Sequence, residues 1–367
     1  MDHGARLQRL RNSLSSHKLD RLLVTHLPNI KYLCGFTGSA AALLVAERSC
    51  FLFTDGRYRT QAKDEVKGAK VVIAQKSPLV VAAEWVAAHS RTSKSGSSHS
   101  QPVGIEAEYL SAAMRDRLAS LLKGKSRLCS APPLIERARM VKDAAEILLI
   151  REAVTLGASL FNVLREKLRP GVTEVEVAAA LEYKARCVGA EGMAFPTILA
   201  SGVRSAIVHG RASSARVPDH GFVVCDFGVI LAGYCSDRTR TIHVGKPSEE
   251  ARFLYDSVLE AQQAAINAVR PGATAGDVDN AARRVLRKRK LAQYFTHSTG
   301  HGLGLEIHEA PRLALGQTQE LEAGMVITIE PGAYLPGKWG VRIEDVVVVT
   351  SSGCEVLTPT DKELVIV

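Results

Sequence analysis

The stretch "VVCDFGVILAGYCSDRTRT", residues 223–241, sets Asp226 and Asp237 into an apolar β-hairpin. With the turn centred between Leu231 and Ala232, the two carboxylates stand directly opposed on one face, their Cβ atoms about 5 Å apart. Like charges that close, on strands bound for a core, repel: one carboxyl stays protonated or a cation lies between them. A divalent metal would serve. The rival reading puts Asp237 on an exposed rim facing solvent, and this hairpin alone does not choose. A second hairpin does. In "ITIEPGAYLPGKWGVRIEDVVVV", residues 327–349, a turn centred on Gly337 sets Glu330 opposite Glu344. Four clustered acids without cations would be prohibitively repulsive, so the metal reading leads.

The hairpins are parts of an internal repeat. "RPGVTEVEVAAALE" from Arg169 and "RPGATAGDVDNAARRVL" from Arg270 each read as a turn followed by a helix, with Thr173 and Thr274 as N-caps. Each helix is followed by a histidine-bearing segment and then a strand ending in an acid, "GFVVCDFG" in one copy and "GMVITIEPG" in the other. The helices lie 101 residues apart and the acids 104, so the register of the copies is kept. Between the hairpins runs "THSTGHGLGLEIHEAP", residues 296–311, with His297, His301 and His308. Its glycines at 300, 302 and 304 disfavour a helix and predict a loop entering a strand. A phosphate loop is unsupported, because no strand-loop-helix context or Lys-Ser/Thr pair accompanies them. Three histidines this close to four acids mark a polar site.

Around these residues the chain alternates. "ARLQRLRNSLSSHKL" and "PLVVAAEWVAAHSR" have helical periodicity, while "RLLVTH" and "SAAALLVAERSCFLFTDGR" read as short strands with a tight turn. "VGIEAEYLSAAMRDRLASLL" continues the strand-helix rhythm beyond a Ser-rich stretch, 90–102, read as a mobile surface loop. The double proline in "CSAPPLIERARMVKDAAEI" breaks structure, a long amphipathic helix begins near Asp143, and the domain boundary is expected near 135. The 367 residues, 46% of them apolar, suit a two-domain globular protein. No run approaches the apolar length of a membrane span and "MDHGARLQRLRNSL" lacks a secretory stretch, which predicts the cytoplasm and no membrane partner. Seven scattered cysteines without a C-x-x-C pair fit reduced, packed thiols. The net charge of +9 comes without aromatic interleaving or a nucleic-acid motif, so no nucleic-acid partner is expected.

Five motifs in order, "ILASGVRSAIVHG", "CDFG…GYCSDRTRT", "HSTGHGLGLEIHE", "ITIEPGAY" and "GVRIEDVVVVT", resemble the pita-bread metallopeptidases of the aminopeptidase P and prolidase group. "LLVTHLPNIKYLCGFTGSAAALLV…LFTDGRYRTQA" resembles their creatinase-like N-terminal domain, so the likeness spans the chain. It implies an α/β creatinase-like domain, residues 1–135, and an α+β pita-bread domain with an internal pseudo-twofold repeat, residues 136–367. It further implies two divalent ions held by Asp226, Asp237, His301, Glu330 and Glu344, with Asp226 chelating one ion and Asp237 and Glu344 bridging both. Four carboxylates and one imidazole suit manganese first, with cobalt, zinc or iron as alternatives.

By the same resemblance Glu330 doubles as general base, His209 and His308 steady the transition state, His297 lies beside a proline pocket, and Arg342 lies against the substrate. Thr239 is expected to orient Asp237. For His220 and His243 no role transfers, and both are expected at the surface. The activity implied is hydrolysis of an N-terminal Xaa-Pro bond by a homodimer. Aminopeptidase P action on longer peptides comes first and prolidase action on Xaa-Pro dipeptides second, since the segment from Glu330 to Glu344 lacks a long insertion. A non-catalytic pita-bread binding module is the rival of another class; the five ligands argue against it, and metal analysis separates the two.

Overall fold

The computed structural model describes residues 1–89, 102–359 and 361–367. All but Pro102 of the Ser-rich stretch falls outside them. The chain forms two compact units, residues 1–139 and 140–367.

The first unit is built from α1 (His3–Ser16), β1 (Arg21–Val24), α2 (Leu27–Cys34), β2 (Ala41–Ala46), β3 (Cys50–Asp55), α3 (Arg59–Glu65), β4 (Lys70–Ala74), α4 (Pro78–Ala88), β5 (Pro102–Ile105), α5 (Ala112–Leu122) and β6 (Arg127–Ser130). Its strands make one mixed sheet in the order β4-β3-β2-β1-β5-β6. β1–β2 and the β2–β3 hairpin pair antiparallel, whereas β3–β4 and β5–β6, each joined through a helix, pair in parallel. Leu79 and Val86 of α4 and Leu118 and Leu122 of α5 bury the sheet side chains Leu23, Leu44, Phe53 and Val103. The helix α6 (Leu134–Met140) follows the double proline and leads out of the unit.

The second unit shows the repeat in its backbone. It opens with α7 (Ala144–Ser159), α8 (Phe161–Lys167) and α9 (Glu174–Cys187), then β7 (Gly192–Met193), β8 (Ile198–Ser201), β9 (Gly221–Asp226), β10 (Val229–Leu231), β11 (Tyr234–Cys235) and β12 (Thr239–Val244). The second copy runs through α10 (Glu249–Ala268), α11 (Ala275–Lys288), β13 (Gly300–Gly302), β14 (Glu309–Leu313), β15 (Val326–Ile329), β16 (Gly332–Tyr334), β17 (Gly340–Arg342), β18 (Asp345–Val349) and β19 (Cys354–Val356). Thr173 and Thr274 cap α9 and α11 with reciprocal capping boxes to Glu176 and Asp277. The turns before them are tied down identically: Gly171 N donates to Val217 O, and Gly272 N donates to Leu321 O. In each copy a helix pair covers a sheet. Leu164, Val177 and Leu181 pack on Val223 and Ile242, while Val258, Val278 and Leu286 pack on Ile327 and Val347.

The second hairpin has the expected register. Ladders on either side pair Ile329 with Asp345 and Gly332 with Arg342, so Glu330 faces Glu344. The first hairpin is two residues out: Asp226 pairs with Thr239, not Asp237. Its turn sits on Ala232 and Gly233, with φ of 48° and 77°, a left-handed pair that fits the twist of a two-residue hairpin even though Ala232 pays a steric penalty. A slip of two keeps the face, because side chains alternate with period two. One more expectation changes. Ala144–Lys167, the span of α7 and α8, is long and apolar enough to cross a membrane. Here Ile150 and Val154 are buried against Tyr234, Leu303, Val326 and Val346, as in a core helix.

Candidate metal centre

Asp226 ends β9 and His301 lies in β13, while Asp237, Glu330 and Glu344 occupy the breaks where the hairpins pass from one sheet to the next. All five line one cavity of about 590 Å³, with His209, His297, His308 and Arg342. Donor atoms of Asp237, His301 and Glu344 lie within 4.8 Å of one another. His301 Nε2 is 3.5 Å from Asp237 Oδ2 and 3.6 Å from Glu330 Oε1.

The glycines around His301 are steric necessities. A Cβ on Gly300 would lie 1.9 Å from Thr328 O, and one on Gly302 2.2 Å from Ala310 O, so only glycine lets β13 fit between its neighbours. His301 Nδ1 donates to Gly302 O at 3.0 Å, which leaves the Nε2 lone pair for the cavity. Burial drops the imidazole to about 4, so it is neutral, as a metal ligand must be.

The carboxylates carry the opposite strain. Burial, then repulsion from Glu344, Asp226 and Glu330, holds Asp237 well above the ordinary range. Glu344 is raised by burial and by Glu330 and Asp226, and burial lifts Glu330 to about 8. Asp226 Oδ2 accepts from Arg342 Nη2 at 2.6 Å, while its Oδ1 is buried without a hydrogen-bond partner among the described residues. An orphaned carboxylate oxygen, a neutral imidazole lone pair and three crowded acids fit divalent cations.

Around the acids lies a scaffold that joins the two repeats. Thr239 Oγ1 donates to Glu344 Oε2 at 2.8 Å and accepts from Arg342 Nε at 3.0 Å, so this threonine holds Glu344 rather than Asp237. Arg342, 2% exposed, also reaches Val208 O at 2.9 Å and the Tyr334 hydroxyl at 2.6 Å. These contacts tie Arg342 into the protein while it also lines the cavity. Tyr334 OH is in turn 3.0 Å from His297 Nε2. Burial, with Arg342 nearby, lowers His297 to about 3 and keeps it neutral. His308 meets His301 edge-to-face, ring centroids 4.4 Å apart, and is lowered mainly by burial. His220 is exposed as expected, but His243 is buried, Nδ1 on Gly245 O and its ring against Phe222.

Three comparisons bear on this arrangement. The Metallopeptidase family M24 pattern matches residues 149–351 and the Creatinase/Prolidase N-terminal domain pattern matches residues 6–141. The chain belongs to metallopeptidase family M24. An M24 relative, the Xaa-Pro dipeptidase of Pyrococcus horikoshii, is 35% identical over 353 residues, 96% of each chain. The structure of an Xaa-Pro dipeptidase from Bacillus anthracis superposes with a TM-score of 0.94 at 37% identity, covering 100% of both chains. That of an X-Pro aminopeptidase from Thermotoga maritima gives 0.88 at 35% identity, covering 99% of this chain and 100% of the other. The second unit is thus the pita-bread fold of the M24 peptidases, and the chain is a metallopeptidase hydrolase of the prolidase and aminopeptidase P type.

Two residues outside the sequence reading also bear on the site, Tyr334 through His297 and Arg342, and Arg312 in the cavity wall. Tyr334 shares strand parity with Glu330, Arg342 and Glu344, so period-two counting along the second hairpin could have found it. Arg312 lines the cavity wall as the direct cross-strand partner of His301. Its only sequence signal was its position four residues past His308.

Proposed function

We propose that the chain is an Xaa-Pro dipeptidase, the reading that the sequence alone had ranked second. The observation that carries it is Arg312. A cation placed directly across the strand from His301 lines the same cavity as the acids, where it would pair with the free carboxylate of a dipeptide. The printed names of the Pyrococcus and Bacillus anthracis relatives support the same substrate.

In this reading Asp226, Asp237, His301, Glu330 and Glu344 hold two divalent ions, manganese first on an oxygen-rich donor set. When bound, such ions polarise the scissile carbonyl and acidify a water. Glu330, whose Oε1 lies 3.6 Å from His301 Nε2 on the cavity wall, would accept a proton from the attacking water. His209 and His308 donate to the oxygen that becomes negative, and His297, fixed by Tyr334, borders the proline ring. Arg342 acts as a positioning residue that steadies Asp226 and, through Thr239, Glu344. Seven free cysteines fit a reducing cytoplasm, and we extend the proposal to a homodimer there.

The test is a cleavage panel of Xaa-Pro dipeptides against Xaa-Pro-Yaa tripeptides, with wild type and Arg312→Leu. Dipeptides should be preferred, and Arg312→Leu should raise KM for them by about tenfold or more. Equal cleavage of tripeptides, with KM untouched in the variant, would return the reading to an aminopeptidase.

A further inference from the structure

Two buried charged side chains flank Asp143, the N-cap of α7: Lys142 just before it and Glu146 in the first turn, and they reach two different arms of the metal centre. Lys142 Nζ lies 3.1 Å from Glu309 Oε2, with side chains 1% and 6% exposed. Glu309 follows His308 directly, and its other oxygen accepts from Glu306 N at 3.1 Å, so the carboxylate is wrapped by the loop that links His301 to His308. Glu146, 2% exposed, accepts from the Tyr234 hydroxyl at 3.0 Å. Tyr234 stands three residues before Asp237 on the first hairpin. The remaining Glu146 oxygen caps Asp143 N at 3.0 Å, which fixes the carboxylate to the helix start. The two arms also touch, since Cys235 N donates to Gly304 O at 2.7 Å.

We infer that Lys142 and Glu146 are positioning residues: the start of α7 acts as a strut that sets the Asp237 arm through Tyr234 and the His308 arm through Glu309. Neither residue touches the cavity ligands. Both contacts are buried charged hydrogen bonds, the kind whose removal leaves a partner stranded in a low-dielectric interior and shifts the backbone that carries it. The inference rests on the peptidase reading for its kinetic arm only; its metal-binding arm stands without it.

The two contacts predict different defects. Tyr234→Phe loosens the arm of a metal ligand, so manganese affinity by titration calorimetry should weaken about fivefold to tenfold. Lys142→Met loosens the arm of His308, which is not a ligand, so metal stoichiometry and affinity should hold while kcat falls about tenfold at unchanged KM. The double variant Lys142→Met/Glu309→Gln removes the stranded charge and should recover most of that kcat. Melting temperature measured on every variant guards against misfolding, and the double variant keeps the test open if Lys142→Met fails to fold. Manganese affinity unchanged in Tyr234→Phe, or kcat unchanged in folded Lys142→Met, or metal and kcat lost together there, would overturn the strut. Failure of the wild type to cleave any Xaa-Pro peptide would overturn the peptidase reading and leave the calorimetric result standing.

Discussion

The two ligand-bearing hairpins began as copies and now differ where they meet. In the second, Glu330 and Glu344 face each other; in the first, Asp226 faces Thr239 and Asp237 stands two residues further along the same face. The offset frees one seat at the centre for a hydroxyl, and that hydroxyl serves the other half by holding Glu344 and Arg342. The residue after each return-strand acid differs as well. Asp345 is buried and met by Arg240, Lys362 and Gln262 at 2.7–2.8 Å. Arg238 is buried with Nη1 on Ala158 O and the Phe161 face, but its Nε and Nη2 lack partners among the described residues. Copies of one motif can thus share a site while dividing the labour of satisfying buried charge unequally.

The largest expected effect tests what the halves share. Asp237→Asn and Glu344→Gln should each cut turnover by more than about a thousandfold with the fold intact, because in the proposed site each would lose a charged oxygen that holds the divalent ions. Full activity in either, with metal content unchanged, would break the equivalence of the two acids. Asp345→Asn should destabilise the protein by about 3–5 kcal/mol in chemical denaturation, since it removes the buried carboxylate charge that pairs with Arg240 and the partly exposed Lys362.

Thr239→Val probes the extra seat. It leaves a buried carboxylate oxygen and a guanidinium N–H unsatisfied, so a stability loss of about 1–3 kcal/mol is expected together with weaker manganese binding. A variant with wild-type metal affinity would show that the offset does not serve the second half.

A pH effect sharpens the comparison further. Burial raises Glu330 in the folded, metal-free chain from 4.5 to about 8. The folded state then holds a proton that the unfolded state has lost. The metal-free protein is therefore most stable below that unfolded value and loses stability as pH rises through about 8. Bound cations remove this penalty, so the rise in melting temperature on adding manganese should be larger at about pH 8.5 than at about pH 5.5. A rise independent of pH would show that Glu330 titrates normally. The smallest effect is on Arg238: Arg238→Met should leave the melting temperature unchanged or raise it, whereas a loss beyond about 1 kcal/mol would mean that its guanidinium is well served where it lies.

Much of this was legible in the chain. The Thr-capped repeats, the register around Gly337 and the sharing of one face by all four acids follow from local rules of capping, turn chemistry and strand parity. The first hairpin was misplaced because its turn asks a non-glycine residue, Ala232, to adopt positive φ, which propensity argues against. His243 was misjudged because β12 is buried on both faces, so alternation offers no surface side. Thr239 and Arg342 were placed near the acids, but the pairings of the scaffold were not legible. Lys142 and Glu309 are 167 residues apart and Arg342 and Asp226 are 116 apart, and no local pattern announces a pair at that distance.

The seam between the halves has a consequence for motion. Thr241 Oγ1 donates to Arg342 O and receives Arg342 N, and Glu344 N donates to Thr239 O. Strands laced that way cannot hinge apart to admit a peptide without breaking several buried bonds at once. Any adjustment to substrate would fall instead to the exposed segment through Val203 and Ile207 that leads into Val208 and His209 of the cavity wall, while the laced seam stays still.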